Sequence, residues 1–239
     1  MVSFYFFDSL TSTMDEARAR ALEGIEDGSV IIALQQSQGR GRRGRVWESI
    51  PGNLYLTYIT YLDVPLSGAP QLSFVSCVAV GEELRPFLPP TNILTYKWPN
   101  DLLLNEKKVG GLLLEAVHIP DEKKIGYLIG CGINLRSYPQ ETHYPATSFQ
   151  NEGMYLCLEE VLHGVVSSIQ QYISLWRKEG FTPIHTLWMK EAANLEKKIT
   201  VDLQGKIQEG VFKGIDGEGA LILATPQGVV KVNTGEILR

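Results

Sequence analysis

Arginine and glycine alternate over residues 39–45 as Gly39-Arg40-Gly41-Arg42-Arg43-Gly44-Arg45, followed by Val46 and Trp47. Glycine lets a backbone approach a ligand closely and present N–H groups to it. The guanidinium is a planar, permanently charged fork suited to phosphate and carboxylate. Arginines this close repel one another, and an anionic ligand would relieve the repulsion. The formal net charge of the chain is −5, so no general basic field accounts for the cluster. By residue type the stretch is an anion-binding loop. Two other readings stay open: a solvated basic loop and an Arg-Gly contact to RNA. The RNA reading lacks a second basic patch interleaved with aromatic residues.

Three further stretches carry chemistry. In Lys97-Trp98-Pro99-Asn100-Asp101 the proline holds Trp98 extended, so the strand ends there and Asn100-Asp101 turn out of it. An amide beside a carboxylate at such a turn suits a nucleotide or a magnesium ion carrying phosphates, or is an ordinary turn. Lys107-Lys108-Val109-Gly110-Gly111 leads into the apolar run Leu112-Leu113-Leu114 and Glu115. The paired glycines imply a bulge or close backbone contact. A lysine there is either a point charge for a carboxylate activated at phosphorus or a solvated hairpin residue. In Gly130-Cys131-Gly132-Ile133-Asn134-Leu135, glycines on alternate positions strip one face of a strand, so that something flat can lie on it or a helix can pack close. No third glycine opens a helix, which excludes a dinucleotide fingerprint.

The elements that must position these residues are legible from periodicity. Thr13 with Glu16 fits a capping box, starting a helix that stops near Gly24. Residues 29–36 and 54–61 are strands, and the arginine-rich segment 37–52 is the loop between them. A loop of that length is functional or mobile. Residues 71–87 read as a helix ended by Pro86 and Pro89-Pro90. Short strands follow at 93–98 and 102–104, with a tight turn at 105–107, then longer strands at 110–118 and 124–134. Residues 156–180 and 183–194 are helical. After Lys197-Lys198, strands at 199–201, 206–215, 220–224 and 229–232 are separated by glycines. Such a module is too small to be stable unless docked on its neighbour. The reading is α+β: a mixed β-sheet with helices over residues 1–194, then a small β module over 195–239.

With 44% hydrophobic and 21% charged residues the chain has an ordinary globular composition. Cys77, Cys131 and Cys157 are odd in number and lack metal-ligand spacing, which suits buried free thiols in a reducing compartment. Residues 1–10 lack the basic region and length of a signal peptide, and no segment approaches the roughly 20 apolar residues of a membrane span. A cytoplasmic location and no membrane partner are expected.

Taken in order, the arginine–glycine run, Lys-Trp-Pro-Asn-Asp, Lys-x-Gly-Gly before an apolar strand ending in Glu, and Gly-x-Gly-Ile-Asn-Leu resemble the biotin–protein ligase family over residues 9–239. The tail Gly235-Glu236-Ile237-Leu238-Arg239 is similar to the end of that family's SH3-like module. The resemblance implies a class II synthetase-like catalytic domain followed by an SH3-like β-barrel. Lipoate ligases share the catalytic fold, but the arginine loop is not expected in them.

The implied activity is formation of biotinyl-5′-adenylate from biotin and ATP, with release of pyrophosphate, then transfer of biotin to a carrier lysine. Carried over residue by residue, Ser12, Thr13 and Gln36 surround the biotin ureido ring, whose donors and acceptors need partners when buried. Gly39, Arg40, Gly41 and Arg42 close over biotin and adenylate, with Gly111, Leu113, Gly130 and Gly132 on the biotin side. Arg42, Arg43, Arg45, Trp47, Asn100, Asp101 and Asn134 lie on the nucleotide side, and Arg239 reaches back from the small module. Lys108 and Arg42 are the expected catalytic residues, Lys108 stabilising charge between biotin carboxylate and α-phosphate. Mg²⁺ is expected to arrive with ATP, near Asp101, with no fixed protein metal site and no prosthetic group. The implied protein partner is a biotin carboxyl carrier protein of acetyl-CoA carboxylase or a related carrier, and a homodimer is compatible.

Two positions depart from the family pattern. Met14 stands where Asn is commoner, and Gln38 precedes the loop glycine, which leaves Gln35 as an alternative to Gln36. The chain begins close to Ser12-Thr13, without room for the helix-turn-helix domain of repressor relatives. A monofunctional enzyme that binds no nucleic acid is therefore expected, with an arginine loop that orders over its ligand.

Overall fold

The computed structural model describes residues 2–119, 125–142, 144–203 and 205–238. Arg239 and Lys124 lie outside the described residues. A seven-stranded sheet runs β1 (Phe4–Leu10), β2 (Val30–Gln36), β3 (Leu54–Leu62), β7 (Ile125–Ile133), β6 (Lys107–His118), β5 (Asp101–Leu104) and β4 (Leu94–Lys97) from edge to edge. Only β1 and β2 are parallel, joined by helix α1 (Thr13–Leu22). The expected mixed sheet with helices is therefore present. Strand β1 was not anticipated, although Phe4-Tyr5-Phe6-Phe7 has the aromatic content strands favour.

Helices divide between the two faces. The main core lies on the side of α2 (Ala69–Leu84), α3 (Leu158–Glu179) and α4 (Thr182–Lys190), where Val75, Val165, Ile169 and Trp188 are buried. On the other face α1 packs Met14, Ala17 and Ala21 against Ile31, Ile59 and Leu128 in a smaller cluster. Helix α2 gives way to a 3-10 turn at Arg85–Phe87, because Pro86 has no N–H to continue the α-helical ladder. Helix α4 ends at Lys190, short of the expected residue 194, for a tertiary reason. Residues 191–193 instead pair with the edge strand, the Tyr96 N–H donating to Glu191 O (2.9 Å) and the Ala193 N–H to Tyr96 O (2.8 Å).

The small module is a five-stranded antiparallel sheet ordered β11 (Gly228–Val232), β10 (Leu221–Thr225), β9 (Lys206–Ile215), β8 (Lys198–Leu203) and β12 (Glu236–Ile237). The final strand, β12, was not read from sequence, being too short for periodicity. The module is docked, as its size demands. Phe212, Leu221 and Leu223 share the main core, with Phe212 edge-on to Trp188. The Trp98 indole N–H donates to Gly219 O at 3.0 Å, and Gln71 Nε2 to Gly217 O at 2.9 Å. Truncating a buried tryptophan such as Trp188 costs about 3–5 kcal/mol, a large share of a typical domain's stability.

Candidate active site

A cleft with about 880 Å³ of open space lies over the strands β2, β3, β7 and β6, between the start of α1 and the small module. Its polar end begins at α1. Ser12 caps the helix, its Oγ accepting from the Met14 N–H at 3.2 Å, so the expected cap at Thr13 is displaced by one residue. Thr13 is thereby freed to donate through its N–H (2.8 Å) and Oγ1 (3.1 Å) to Gln36 Oε1. Gln36 Nε2 donates in turn to Ser49 Oγ at 3.0 Å, and Thr57 Oγ1 to Thr13 Oγ1 at 2.9 Å. Of the two candidate glutamines, Gln36 lines the cleft and accepts from Thr13, whereas Gln35 is exposed and does not line it.

The glycine face of β7 is covered from within the chain. A Cβ on Gly132 would come 2.5–2.8 Å from the Trp47 indole, and one on Gly130 would meet Met14 Sδ at 2.7 Å. The flat group on the stripped face is Trp47, with Met14 beside it. Gly111 lies across the strand pair from Gly132, and Leu113 pairs with Gly130. The bulge expected from Gly110-Gly111 is real. Leu102 pairs with Gly110 and Leu103 with Lys108, leaving Val109 as the extra residue.

That bulge fixes the backbone of Lys108, whose N–H donates to Pro145 O at 2.7 Å while its carbonyl accepts from Thr147 at 2.9 Å. Thr147 is held by Glu152, which also accepts from Asn105 and Lys107. These contacts, the Thr147 hydroxyl foremost, push the Glu152 carboxyl down to about 2. The Lys108 ammonium sits 2.7 Å from Asp101 Oδ1 and 5.3 Å from the Trp47 ring. Lys97 Nζ lies 3.3 Å from the other oxygen, Asp101 Oδ2. Burial alone would raise the Asp101 carboxyl, but Lys108 and Lys97 outweigh it and hold Asp101 below its ordinary value. Both oxygens thus face ammonium groups, so Asp101 is a counter-ion for both lysines. Among the described residues no cluster of three metal-ligating side chains exists.

Each arginine of the loop has a defined partner. Arg42 Nη1 donates to Asn100 Oδ1 at 3.3 Å, and Asn100 is itself clamped to Leu112 of β6. Burial pulls the Arg42 guanidinium down from its ordinary value, with Asp101 and Glu236 opposing. Arg40 pairs with Asp15 (2.8 Å) and Glu115 (3.3 Å). Arg43 pairs with Asp202 at 2.8 Å and Arg45 with Glu236, both carboxylates belonging to the small module. The Glu236 hydrogen bond raises the Arg45 guanidinium. The repulsion expected among the arginines is therefore answered by the chain's own carboxylates. Within the 3-10 segment Arg42–Gly44 the backbone turns left-handed at Arg43 (φ 58°) and Gly44 (φ 74°).

Most of the expected residues converge on this cleft, from Ser12, Thr13 and Gln36 through the arginines and Trp47 to Lys108 and Gly132. Two do not line it. Gly39 is buried where a Cβ would collide with the Trp47 carbonyl, so it supports the loop from below. Asn134 spends its amide on Thr147 O at 3.0 Å, holding the loop behind Lys108. Residues not anticipated are Glu236, Asp202, Asp15, Ser49 and Thr57. No local pattern marks them, since each matters through a partner more than 10 positions away. The thiols divide: Cys77 and Cys131 are buried as expected, but Cys157 is exposed.

Comparison with known proteins agrees with this geometry. Residues 6–134 match the model of the Biotin/lipoate A/B protein ligase family, and residues 195–239 that of the Biotin protein ligase C terminal domain. The chain is 34% identical to the biotin--[acetyl-CoA-carboxylase] ligase of Paracoccus denitrificans, covering 93% of this chain and 96% of that one. It is 32% identical to the bifunctional ligase/repressor BirA of Bacillus subtilis, covering 97% of this chain and 72% of the relative. The structure of the Aquifex aeolicus biotin protein ligase in complex with biotin and ATP superposes with a TM-score of 0.82, at 27% identity, covering 98% of this chain and 97% of that one. With these matches spanning both sheets and every stretch that builds the cleft, the chain belongs to the biotin/lipoate A/B protein ligase family, among its biotin protein ligases.

Proposed function

We propose that this chain activates biotin with ATP and transfers the biotinyl group to a lysine of a carrier protein, a biotin carboxyl carrier protein of acetyl-CoA carboxylase or a related domain, in the cytoplasm. The observation that carries this reading is the arrangement of the cleft. A neutral hydrogen-bonding end at Ser12, Thr13 and Gln36 is joined by a floor of Met14 and Trp47, packed on the β7 glycines, to a cationic end at Lys108 and Arg42. A urea-bearing ring fits the first, an apolar chain the second, and a carboxylate meeting a phosphate the third.

In the first step a carboxylate oxygen of biotin attacks the α-phosphorus of ATP. The bond to the bridging oxygen breaks and pyrophosphate leaves with that electron pair. Lys108 and Arg42 face the anionic charge that develops between the two reactants. Arg43, Arg45, Trp47, Asn100 and Asp101 frame the nucleotide side, and Mg²⁺ enters as part of the ATP co-substrate. In the second step the carrier amine attacks the acyl carbonyl, AMP departs, and the amine proton is released to solvent. Arg40 and the loop around it close the biotin side, which excludes water that would hydrolyse the mixed anhydride.

The test is incubation with biotin, ATP, Mg²⁺ and a carrier domain, followed by the mass of the carrier. One added biotinyl group per carrier is expected. Labelling with lipoate in preference to biotin would overturn the assignment of substrate.

A further inference from the structure

Lys97 is among the most buried polar side chains of the protein, with 2% of its surface exposed. An ammonium there carries a desolvation cost that an apolar side chain of equal volume would not. Its surroundings are specific. Nζ donates to the carbonyl of Ile237 in β12 at 3.3 Å, lies 3.3 Å from Asp101 Oδ2, and sits 4.0 Å from the centre of the Tyr144 ring. Asp101 Oδ1 is occupied by Lys108 at 2.7 Å. One carboxylate is thus shared by two ammonium groups, and only one of them, Lys108, lines the cleft.

The charge count gives this arrangement its meaning. Asp101 and Lys108 alone would form a neutral pair, in which the lysine's field is largely spent on its own partner. With Lys97 the cluster has a net positive charge, and a second anion can bind Lys108 without displacing Asp101. The carbonyl of Ile237 completes the contacts of Lys97, and the neighbouring Glu236 is the residue that pairs with Arg45. The last strand of the small module therefore reaches the buried lysine and the arginine loop together.

We propose that Lys97 is a positioning residue for acyl-adenylate formation: it shares the charge of Asp101 so that the Lys108 ammonium remains available to the reacting carboxylate and phosphate, and it links that state to docking of β12. This rests on the function proposed above. Lys97 touches no substrate, so its removal acts on the rate of the chemical step and not on the affinity for biotin.

The test compares wild type, Lys97→Gln and Lys97→Arg in biotin-dependent ATP–pyrophosphate exchange, with folding followed by circular dichroism. Lys97→Gln keeps a donor for Ile237 and loses the charge. Its kcat is expected to fall about 10- to 100-fold, with the KM for biotin changed by less than about threefold. Lys97→Arg keeps the charge and is expected to stay within about tenfold of wild type. A folded Lys97→Gln with wild-type kcat, or one whose loss lies in KM, overturns the proposal. A Lys97→Arg variant as slow as Lys97→Gln does the same. Failure of both variants to fold assigns Lys97 to folding alone and also overturns it. A wild-type protein without biotin-dependent exchange would instead refute the proposed function.

Discussion

The arginine loop and the lysine–aspartate cluster hold charge in opposite ways. Three of the four loop guanidiniums lie in contact with water, the side chains of Arg40, Arg43 and Arg45 being 39%, 32% and 50% exposed. The side chains of Lys97 and Asp101 are 2% and 12% exposed. An exposed pair is worth about 0–1 kcal/mol and weakens with salt, so its partners exchange readily. Removing one member of a buried pair costs about 3–5 kcal/mol, because the other charge is left without compensation. The loop's pairs can therefore exchange partners at little cost, whereas the cluster's cannot. The proposed phosphate chemistry would use both, an exchangeable cover and a fixed charge beneath it.

This contrast can be broken or sharpened by substitution. The largest effect is expected at the cluster's cleft-facing end. Lys108→Ala should slow adenylate formation by about 10²–10³-fold, measured as biotin-dependent ATP–pyrophosphate exchange. Near-normal turnover would remove Lys108 from the chemistry. Next comes the floor. Gly132→Val places carbon where the Trp47 ring lies, 2.5 Å from the unbranched Cβ position. The variant should lose about 1–3 kcal/mol in a denaturant titration. Unchanged stability would mean that the indole moves aside freely and is not part of a fixed floor. The smallest effect is expected at the loop. Glu236→Gln should lose no more than about 1 kcal/mol of stability, and less at high salt than at low. A larger, salt-insensitive loss would erase the distinction between the two regions.

Much of the cleft is legible in the sequence alone, because it is built from compact local patterns. A Gly-Arg run, a paired glycine before an apolar strand and alternate glycines in a strand each point to a local backbone feature. The bulge at Val109 and the stripped face of β7 follow from them directly. What lay on that face was not legible. The space beside Gly130 and Gly132 is filled by Met14 and Trp47, from a helix and a loop distant in sequence. Helix ends were misread where tertiary contacts overrode propensity, as at Lys190, where the chain leaves α4 to pair with Tyr96. Asn134 reads as a ligand residue by position, yet its amide serves the loop behind Lys108.

The sequence by itself determined which residue types would meet, and in what order along the chain: a cationic glycine loop, a lysine beside a bulge, a strand without side chains on one face, and a small β module needing a neighbour. These are local properties, set by backbone sterics and by the fixed charges of short segments. Only the tertiary structure decided which charge faces which. It gave Asp101 to two lysines, Arg43 and Arg45 to the small module, and the carbonyl of Ile237 to Lys97. Ion pairing depends on distance through space and on the exclusion of water, and neither is written in the spacing of residues along a chain.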